Sequence, residues 1–305
     1  MPTTPARRRL RDLLAKRELI VAPGVFDGIS AQLARRTGHV AAYLTGAGVA
    51  ASGFGLPDIG LVTQTEMTER ARMMVAALGD VPLIADADTG YGAPLNVVRT
   101  VRQYQDAGVA AIQLEDQEFP KRCGHLDGKV LIPAAEMAGK IKAALDARRS
   151  RATLVIARTD AIAVEGFESA IERAALYRDA GADMLFVEAP KTRAELKRIP
   201  PALGGVPLMA NMVEGGKTPV LSAAELESMG FALVIFPGGI VRALGRMASE
   251  YYASLAGRGT SEPFRSRMLD FTGLNQLIGT PEMLALGKRY DSRARPPGRK
   301  RGTRR

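Results

Sequence analysis

YQDAGVAAIQLED, residues 104–116, carries the pattern on which the fold turns. A helical stretch ends at Gly108, a residue suited to the left-handed conformation of a helix C-cap, and an apolar run interrupted at Gln113 then stops at Glu115 and Asp116. An apolar run of that length reads as a strand buried on both faces. The pattern recurs as RRTGHVAAYLTG (35–46), YRDAGADMLFVEA (177–189) and ESMGFALVIFPG (227–238), with Gly38, Gly181 and Gly230 at the cap. Further buried strands are predicted at LIVAP (19–23), PLIAD (82–86), TLVIA (153–157) and VPLMA (206–210), with helices between them over 93–107, 133–148 and 166–180. Eight strand–helix units, beginning near 19, 40, 82, 110, 153, 183, 206 and 232, predict an α/β chain folded as one (β/α)8 TIM barrel. No G-x-G-x-x-G follows the first strand, which speaks against a dinucleotide-binding pair of Rossmann halves. The expected organisation is a catalytic barrel over 1–256, a C-terminal helical extension over 257–287 with apolar patches LNQLIG and MLALG, and a basic tail over 288–305.

Composition narrows the function classes. With 46% hydrophobic and 24% charged residues the chain has the balance of a globular protein. A single cysteine forms no intramolecular disulfide, which predicts a reducing, cytoplasmic setting. No stretch approaches the roughly 20 apolar residues that cross a bilayer, so no membrane partner is expected. The opening MPTTPARRRLRDLLAKREL lacks an apolar run before a small-residue cleavage site; a first amphipathic helix carrying Leu10, Leu13 and Leu14 is the reading preferred over a transit peptide. The net charge of +10 is concentrated in KRYDSRARPPGRKRGTRR (288–305), where nine Lys or Arg face one Asp, so the rest of the chain carries only +2. That is too little for a nucleic-acid groove, and the tail reads as a solvated, disordered end.

The strand ends are polar. Asp86 and Asp88 follow PLIA, Glu115 and Asp116 follow AAIQL, Arg158 and Asp160 follow TLVIA, Glu188 follows MLFV, and Asn211 follows PLMA. Singly, each has an ordinary explanation as a helix cap or a surface pair. Together they predict one reactive rim, because barrel strands deliver their C-terminal ends to a common pocket. Crowded carboxylates in a low-dielectric mouth call for a divalent cation, and an all-oxygen donor set favours Mg2+ or Mn2+ over zinc. DADTGYG (86–92) supplies a glycine-containing turn in which Asp86 and Asp88 point the same way if the strand continues.

PKRCGHLDGK (120–129) places the sole thiol in a long polar loop. A lone cysteine is more often an inert buried hydrophobe. Here Lys121, Arg122 and His125 are expected to lower the pKa of Cys123 and make it a proton-exchanging group on a lid.

KRCGH, DADTGYG, LEDQ (114–117), ARTDA (157–161) and GAGVAASGFGLPD (46–58) together resemble the isocitrate lyase/phosphoenolpyruvate mutase superfamily, in collinear order from about Val21 to Ala256. The chain looks like its short members, the 2-methylisocitrate lyases, 2,3-dimethylmalate lyases and oxaloacetate hydrolases. The resemblance implies a barrel whose last helix is exchanged between subunits of a homotetramer. It implies Asp86, Asp88 and Glu115 as the Mg2+ region and Cys123 as catalytic acid/base, with Lys121, Arg122 and His125 beside it. Thr45, Gly46, Ala47, Arg158, Glu188, Asn211 and Arg242 would hold substrate, and Tyr43 and Asp58 would line the same site. The implied reaction is Mg2+-dependent carbon–carbon cleavage of a substituted 2-hydroxy di- or tricarboxylate to a 2-oxo acid and a carboxylate. The alternative is oxaloacetate hydrolysis or phosphorus–carbon bond chemistry on the same scaffold, as in carboxyphosphonoenolpyruvate mutase, whose relatives ANMVEGGKTP (210–219) also resembles.

Overall fold

A computed structural model describes residues 5–291. It contains eight parallel strands closed into a barrel in sequence order: β1 (Ile20–Val25), β2 (Ala42–Leu44), β3 (Leu83–Asp86), β4 (Ala111–Glu115), β5 (Leu154–Thr159), β6 (Met184–Val187), β7 (Leu208–Asn211) and β8 (Leu233–Phe236). The ring closes where β8 pairs with β1, Ile20 opposite Leu233 and Pro23 opposite Phe236. All eight sequence-predicted strands are present. The outer layer is built from α2 (Gly28–Arg36), which follows an N-terminal α1 (Pro5–Ala15), and from α4 (Gln64–Leu78), α5 (Pro94–Ala107), α6 (Ala134–Ala147), α7 (Phe167–Asp179), α8 (Arg193–Ala202) and α9 (Ala223–Met229). A short α3 (Gly46–Val49) runs into a π-helical turn over Ala50–Phe54 after β2. The four predicted cap glycines, Gly38, Gly108, Gly181 and Gly230, all have positive φ between 87° and 102°, so each ends a helix and turns the chain back into a strand.

Side chains alternate across each strand, and that alternation separates two cores. One set, including Leu83, Ala85, Ile112, Leu114, Val155 and Ala157, packs outward under the helices. The other, including Ile20, Tyr43, Ile84, Ile156, Phe186, Met209 and Ile235, fills the barrel interior. Following the inward set toward the C-terminal ends gives Ile84 then Asp86, Ala111 then Gln113 then Glu115, Ile156 then Arg158, Phe186 then Glu188, and Met209 then Asn211. An apolar plug thus becomes a polar rim by continuing one period-two pattern.

The opposite end is sealed. Leu10 of α1 is 1% exposed and joins the interior cluster, while Arg7 of α1 donates to the carbonyls of Val109 (3.0 Å) and Gln105. Arg11 and Arg148 both hold Asp183, whose carboxylate also accepts from the backbone of Val155 at 2.9 Å.

The compact unit containing the barrel extends to Arg246, inside α10 (Gly239–Arg258), and a second unit begins at Met247. The expected 256/257 boundary therefore falls in the last turn of a continuous helix. The second unit holds the rest of α10, a 3-10 turn (Glu262–Arg267), α11 (Phe271–Ile278) and α12 (Thr280–Arg289). Within it Tyr251 meets Phe264 edge-on at 5.4 Å, and Phe271, Met283 and Leu284 are exposed. Because α12 continues to Arg289, the boundary expected at Lys288 also lies within a helix; the tail beyond Asp291 lies outside the described residues.

Candidate active site

At the C-terminal rim a cavity of about 80 Å³ is lined by groups from Tyr43 around to Arg242. Of the residues singled out in the sequence, Tyr43, Thr45, Ala47, Asp58, Asp86, Lys121, Cys123, His125, Arg158, Glu188, Asn211 and Arg242 all reach it. Gly46 and Asp88 line a smaller adjoining cavity that shares Asp58, and Glu115 lies buried under the floor. Arg122 is not part of the site: its Nη1 donates to the Asp127 carbonyl at 3.0 Å on the exposed side of the loop, while its backbone N–H donates to Gln117. Strand-like alternation along the loop puts Lys121 and Cys123 inward and Arg122 outward. Arg242 sits at the mouth, half-exposed and paired with Glu214 at 3.1 Å.

Arg158 is the hub. Its Nε and Nη2 donate to the two oxygens of Asp160 at 2.9 and 3.0 Å, and it lies 3.4 Å from both Glu115 and Glu188. Its guanidinium also stacks 5.2 Å over the Phe186 ring. Burial alone would lower its pKa, but Asp160, Glu115 and Glu188 hold it well above the ordinary arginine value. Glu115 is pushed well above the carboxylate range by burial, with Arg158 opposing. Asn211 donates to Glu188 at 3.0 Å. Ala189, directly after Glu188, is held at φ 56° and donates its N–H to Glu188 at 2.8 Å, a strained backbone of the kind found where a side chain is aimed for function.

The turn after β3 departs from the expectation that the strand continues. It stops at Asp86, and Asp88 enters the left-handed region at φ 45°, its N–H donating to Asp86 Oδ1 at 3.0 Å. Gly90 completes the turn at φ 82°, where a Cβ would lie 2.5 Å from Val97. Asp88 therefore turns to Lys121 at 3.0 Å, and burial pushes its carboxyl up to about 6. Lys121 also pairs with Asp58.

The Cys123 loop lies across this cavity, and its backbone ties it to several neighbours. Cys123 N–H donates to the Asp58 carbonyl at 3.1 Å, and His125 Nδ1 accepts from Lys217 N–H at 3.0 Å, with Nε2 at 3.4 Å from Glu188. Gly124 passes so close to the rim that a Cβ there would lie 2.5 Å from Arg158 and 2.6 Å from Glu188. Contrary to the lowered value expected from the loop sequence, burial first, and Asp58 second, push the Cys123 thiol above its ordinary value, opposed by the His125 backbone N–H and Arg158. Lys121 is engaged by two carboxylates and Arg122 faces away, so neither cation lowers it.

Several site residues were not singled out by sequence. Gln113 accepts from the Tyr43 hydroxyl at 2.9 Å and donates to Asp86 at 3.4 Å; its inward position in AIQLE was the available signal. Lys129 is buried against Asp160, and Val213, Ile235 and Pro237 give the cavity an apolar side.

The family profile described as phosphoenolpyruvate phosphomutase matches residues 10–256. The chain belongs to the phosphoenolpyruvate mutase/isocitrate lyase superfamily. It is 44% identical over 282 residues to the 2,3-dimethylmalate lyase of Eubacterium barkeri, covering 92% of this chain and 97% of that one. It is 45% identical over 254 residues to the 2-methylisocitrate lyase of Bacillus subtilis (strain 168), covering 83% of each. Among solved structures, oxaloacetate acetylhydrolase in complex with 3,3-difluorooxalacetate superposes with a TM-score of 0.90 at 36% identity, covering 96% of this chain and 99% of that one. A phosphonopyruvate hydrolase in complex with oxalate and Mg++ superposes with a TM-score of 0.82 at 30% identity, covering 93% and 99%. The protein is thus an enzyme of this superfamily, and the rim described above is the C-terminal face at which barrel enzymes react. No helix among the described residues is long and apolar enough to cross a membrane.

The donor set bears on the metal. Among the described residues no group of three His, Cys, Asp or Glu is placed to hold a metal ion by itself. Mg2+ is commonly held by one or two carboxylates together with waters and substrate oxygens. A Cβ at Gly46 would lie 3.0 Å from Asp86 Oδ2 and 3.6 Å from Asp88 Oδ1, so the missing side chain leaves a cradle beside both carboxylates. Around it Asp58, Asp86, Asp88, Asp160 and Glu188 outnumber Lys121, Lys129 and Arg158, a local excess of negative charge that a divalent cation offsets. The residues present fit the ion.

Proposed function

We propose that this enzyme is a Mg2+-dependent carbon–carbon lyase acting on an alkyl-substituted 2-hydroxy di- or tricarboxylate. The observation that carries this reading is the convergence of Asp86, Arg158, Glu188 and Asn211 from separate strand tips with the Cys123 thiol in one cavity. Asp86, with Asp88 and Glu115 behind it, would hold the ion, which when bound would acidify the substrate hydroxyl. Thr45 Oγ1 accepts from Gly48 N–H at 3.1 Å, which holds the hydroxyl at the cavity wall and would leave its own O–H to donate to a substrate oxygen.

The hydroxyl proton passes to a rim carboxylate, the adjacent carbon–carbon bond breaks, and a 2-oxo acid leaves. The electron pair stays on the carbon next to the second fragment's carboxylate, where the Arg158 cation and the Asn211 amide offset the developing charge. Cys123 S–H then gives its proton to that carbon. A thiol held above its ordinary pKa keeps its proton until a strong base appears, so the raised value suits an acid better than a thiolate would. The loop over the cavity keeps bulk water from delivering the proton instead.

The apolar side formed by Val213, Ile235 and Pro237 supports an alkyl substituent on the substrate. Hydrolysis of oxaloacetate is a second reading, supported by the 0.90 TM-score to oxaloacetate acetylhydrolase. A multi-subunit assembly is part of the proposal, because Leu269, Phe271, Met283 and Leu284 of the C-terminal unit are exposed and call for a second copy to cover them. A reducing cytoplasm suits its single thiol. Incubation with 2,3-dimethylmalate, 2-methylisocitrate and oxaloacetate, with and without Mg2+, tests the reading. Pyruvate is expected from the first or second only with the ion present. Acetate and oxalate from the third alone would select hydrolysis, and no product from any acid would overturn both readings.

A further inference from the structure

The loop between β4 and α6 carries a buried lysine that the reaction scheme does not use. Lys129 is 6% exposed, although its chain neighbours Gly128 and Val130 face solvent. Its Nζ donates to the carbonyl of Gly124, the residue after Cys123, and lies 3.4 Å from Asp160 Oδ1. Asp160 belongs to the rigid barrel. Its N–H donates to Asp116 at 2.9 Å, and Asp116 is itself pinned by Thr159 and the Tyr177 hydroxyl, each at 2.7 Å. The same Asp160 carboxylate orients Arg158 through two hydrogen bonds. Lys129 therefore joins two parts that would otherwise be independent, the backbone that presents the thiol and the carboxylate that aims the arginine.

We propose that Lys129 is the latch of the Cys123 loop, a positioning residue whose ammonium group locks Gly124, and through it Cys123, onto the Asp160–Arg158 pair when the loop lies down. Departure of Lys129 would remove one of the two cations that offset the buried Asp160 carboxylate, so opening carries an electrostatic penalty that closing removes. Gly124 is the contact point because only a residue without a side chain lets the loop backbone lie on Arg158 and Glu188. Lys121 supplies a separate attachment, to Asp58 and Asp88, on the other side of the thiol.

The inference rests on the reading of Cys123 as a proton donor under a closing loop, but its principal readout needs no turnover. Cys123 is the only thiol in the chain, so alkylation by N-ethylmaleimide at one fixed pH reports loop opening directly. Lys129→Met in the full chain is expected to alkylate on the order of tenfold faster than the parent, the change produced by about 1.4 kcal/mol of lost closure free energy. Lys129→Arg, which keeps the charge, should restore most of the protection. If the enzyme turns over a substrate in the panel above, Lys129→Met should lower kcat with a smaller change in KM. Parental alkylation in Lys129→Met would overturn the latch even if the lyase reading holds, and fast alkylation would sustain it even if no substrate is cleaved. Should Lys129→Met fail to fold, Lys129→Gln takes its place. Failure of both would also count against the proposal, since a latch confined to the loop leaves the barrel intact.

Discussion

The two ends of the barrel bury charge in opposite ways. At the N-terminal end Arg7 spends its guanidinium on two backbone carbonyls, and Asp183 is shared by Arg11, Arg148 and the Val155 N–H. At the C-terminal end Thr89 Oγ1, Asn211 Oδ1 and Thr218 Oγ1 are buried without a hydrogen-bond partner, and Asp88 Oδ1 and His125 Nε2 have only an ion-pair contact, to Lys121 and Glu188; at the other end Arg11 Nε alone lacks a partner among the described residues. Buried polar atoms left without partners are costly to a fold, so a cluster of them at one end marks where a ligand supplies the missing partners. The same (β/α)8 frame thus has one end built for stability and one for chemistry.

That contrast can be broken by substitution. The largest effect is expected from Arg158→Met, which leaves Asp160, Glu115 and Glu188 without their shared cation. Losing one partner of a buried ion pair costs about 3–5 kcal/mol in stability. Removing a charge-stabilising donor lowers turnover by roughly 10²–10³-fold. Thermal unfolding and steady-state rates measure the two, and parental values for both would erase the distinction between the ends. Next in size is Leu10→Ala at the sealed end. It is expected to cost about 2–5 kcal/mol through the cavity it opens, and to leave kcat of the remaining folded enzyme unchanged. A matching fall in kcat would show that the two ends are coupled.

The smallest effect concerns an exposed charge at the reactive end. Glu225 caps α9, and the Ser222 backbone N–H, then Arg193 and the Ser222 hydroxyl, hold its carboxyl down from 4.5 to about 2. A lowered folded value means that its contribution is fully present above pH 4.5 and is lost as the pH falls toward about 2. Unfolding curves of Glu225→Gln and the parent should therefore differ slightly at neutral pH and converge in acid, more weakly in high salt because the pair is solvated. Equal separation at all pH values would show that the carboxylate's charge is not involved.

How far the sequence disclosed this division depends on the range of the interactions involved. The strands, the cap glycines and the identity of the rim residues were legible because they follow from local periodicity: AIQLE, TLVIAR and MLFVE each end one inward-facing row. The state of Cys123 was not legible, because it depends on where its neighbours' partners lie. Lys121 looks free in KRCGH, but its ammonium is taken by Asp58, 63 residues away, and by Asp88 beyond the turn. Arg122 differs from Lys121 only in pointing outward, which a loop sequence does not encode locally. The pairing of Lys129 with Asp160 likewise arises only when the loop folds over β5. The DADTGYG turn departs from a continued strand for a different reason, since Asp88 adopts a left-handed conformation that aspartate tolerates but that alternation does not reveal.

In the proposed mechanism the reactive end completes its reaction with a proton from the one thiol in the chain. The most direct test is turnover of Cys123→Ser on whichever acid the parent cleaves, with thermal unfolding measured on the same preparation. The account predicts an unchanged fold and a fall in kcat of at least about 10²-fold, the scale of a lost general acid; turnover close to that of the parent would contradict it.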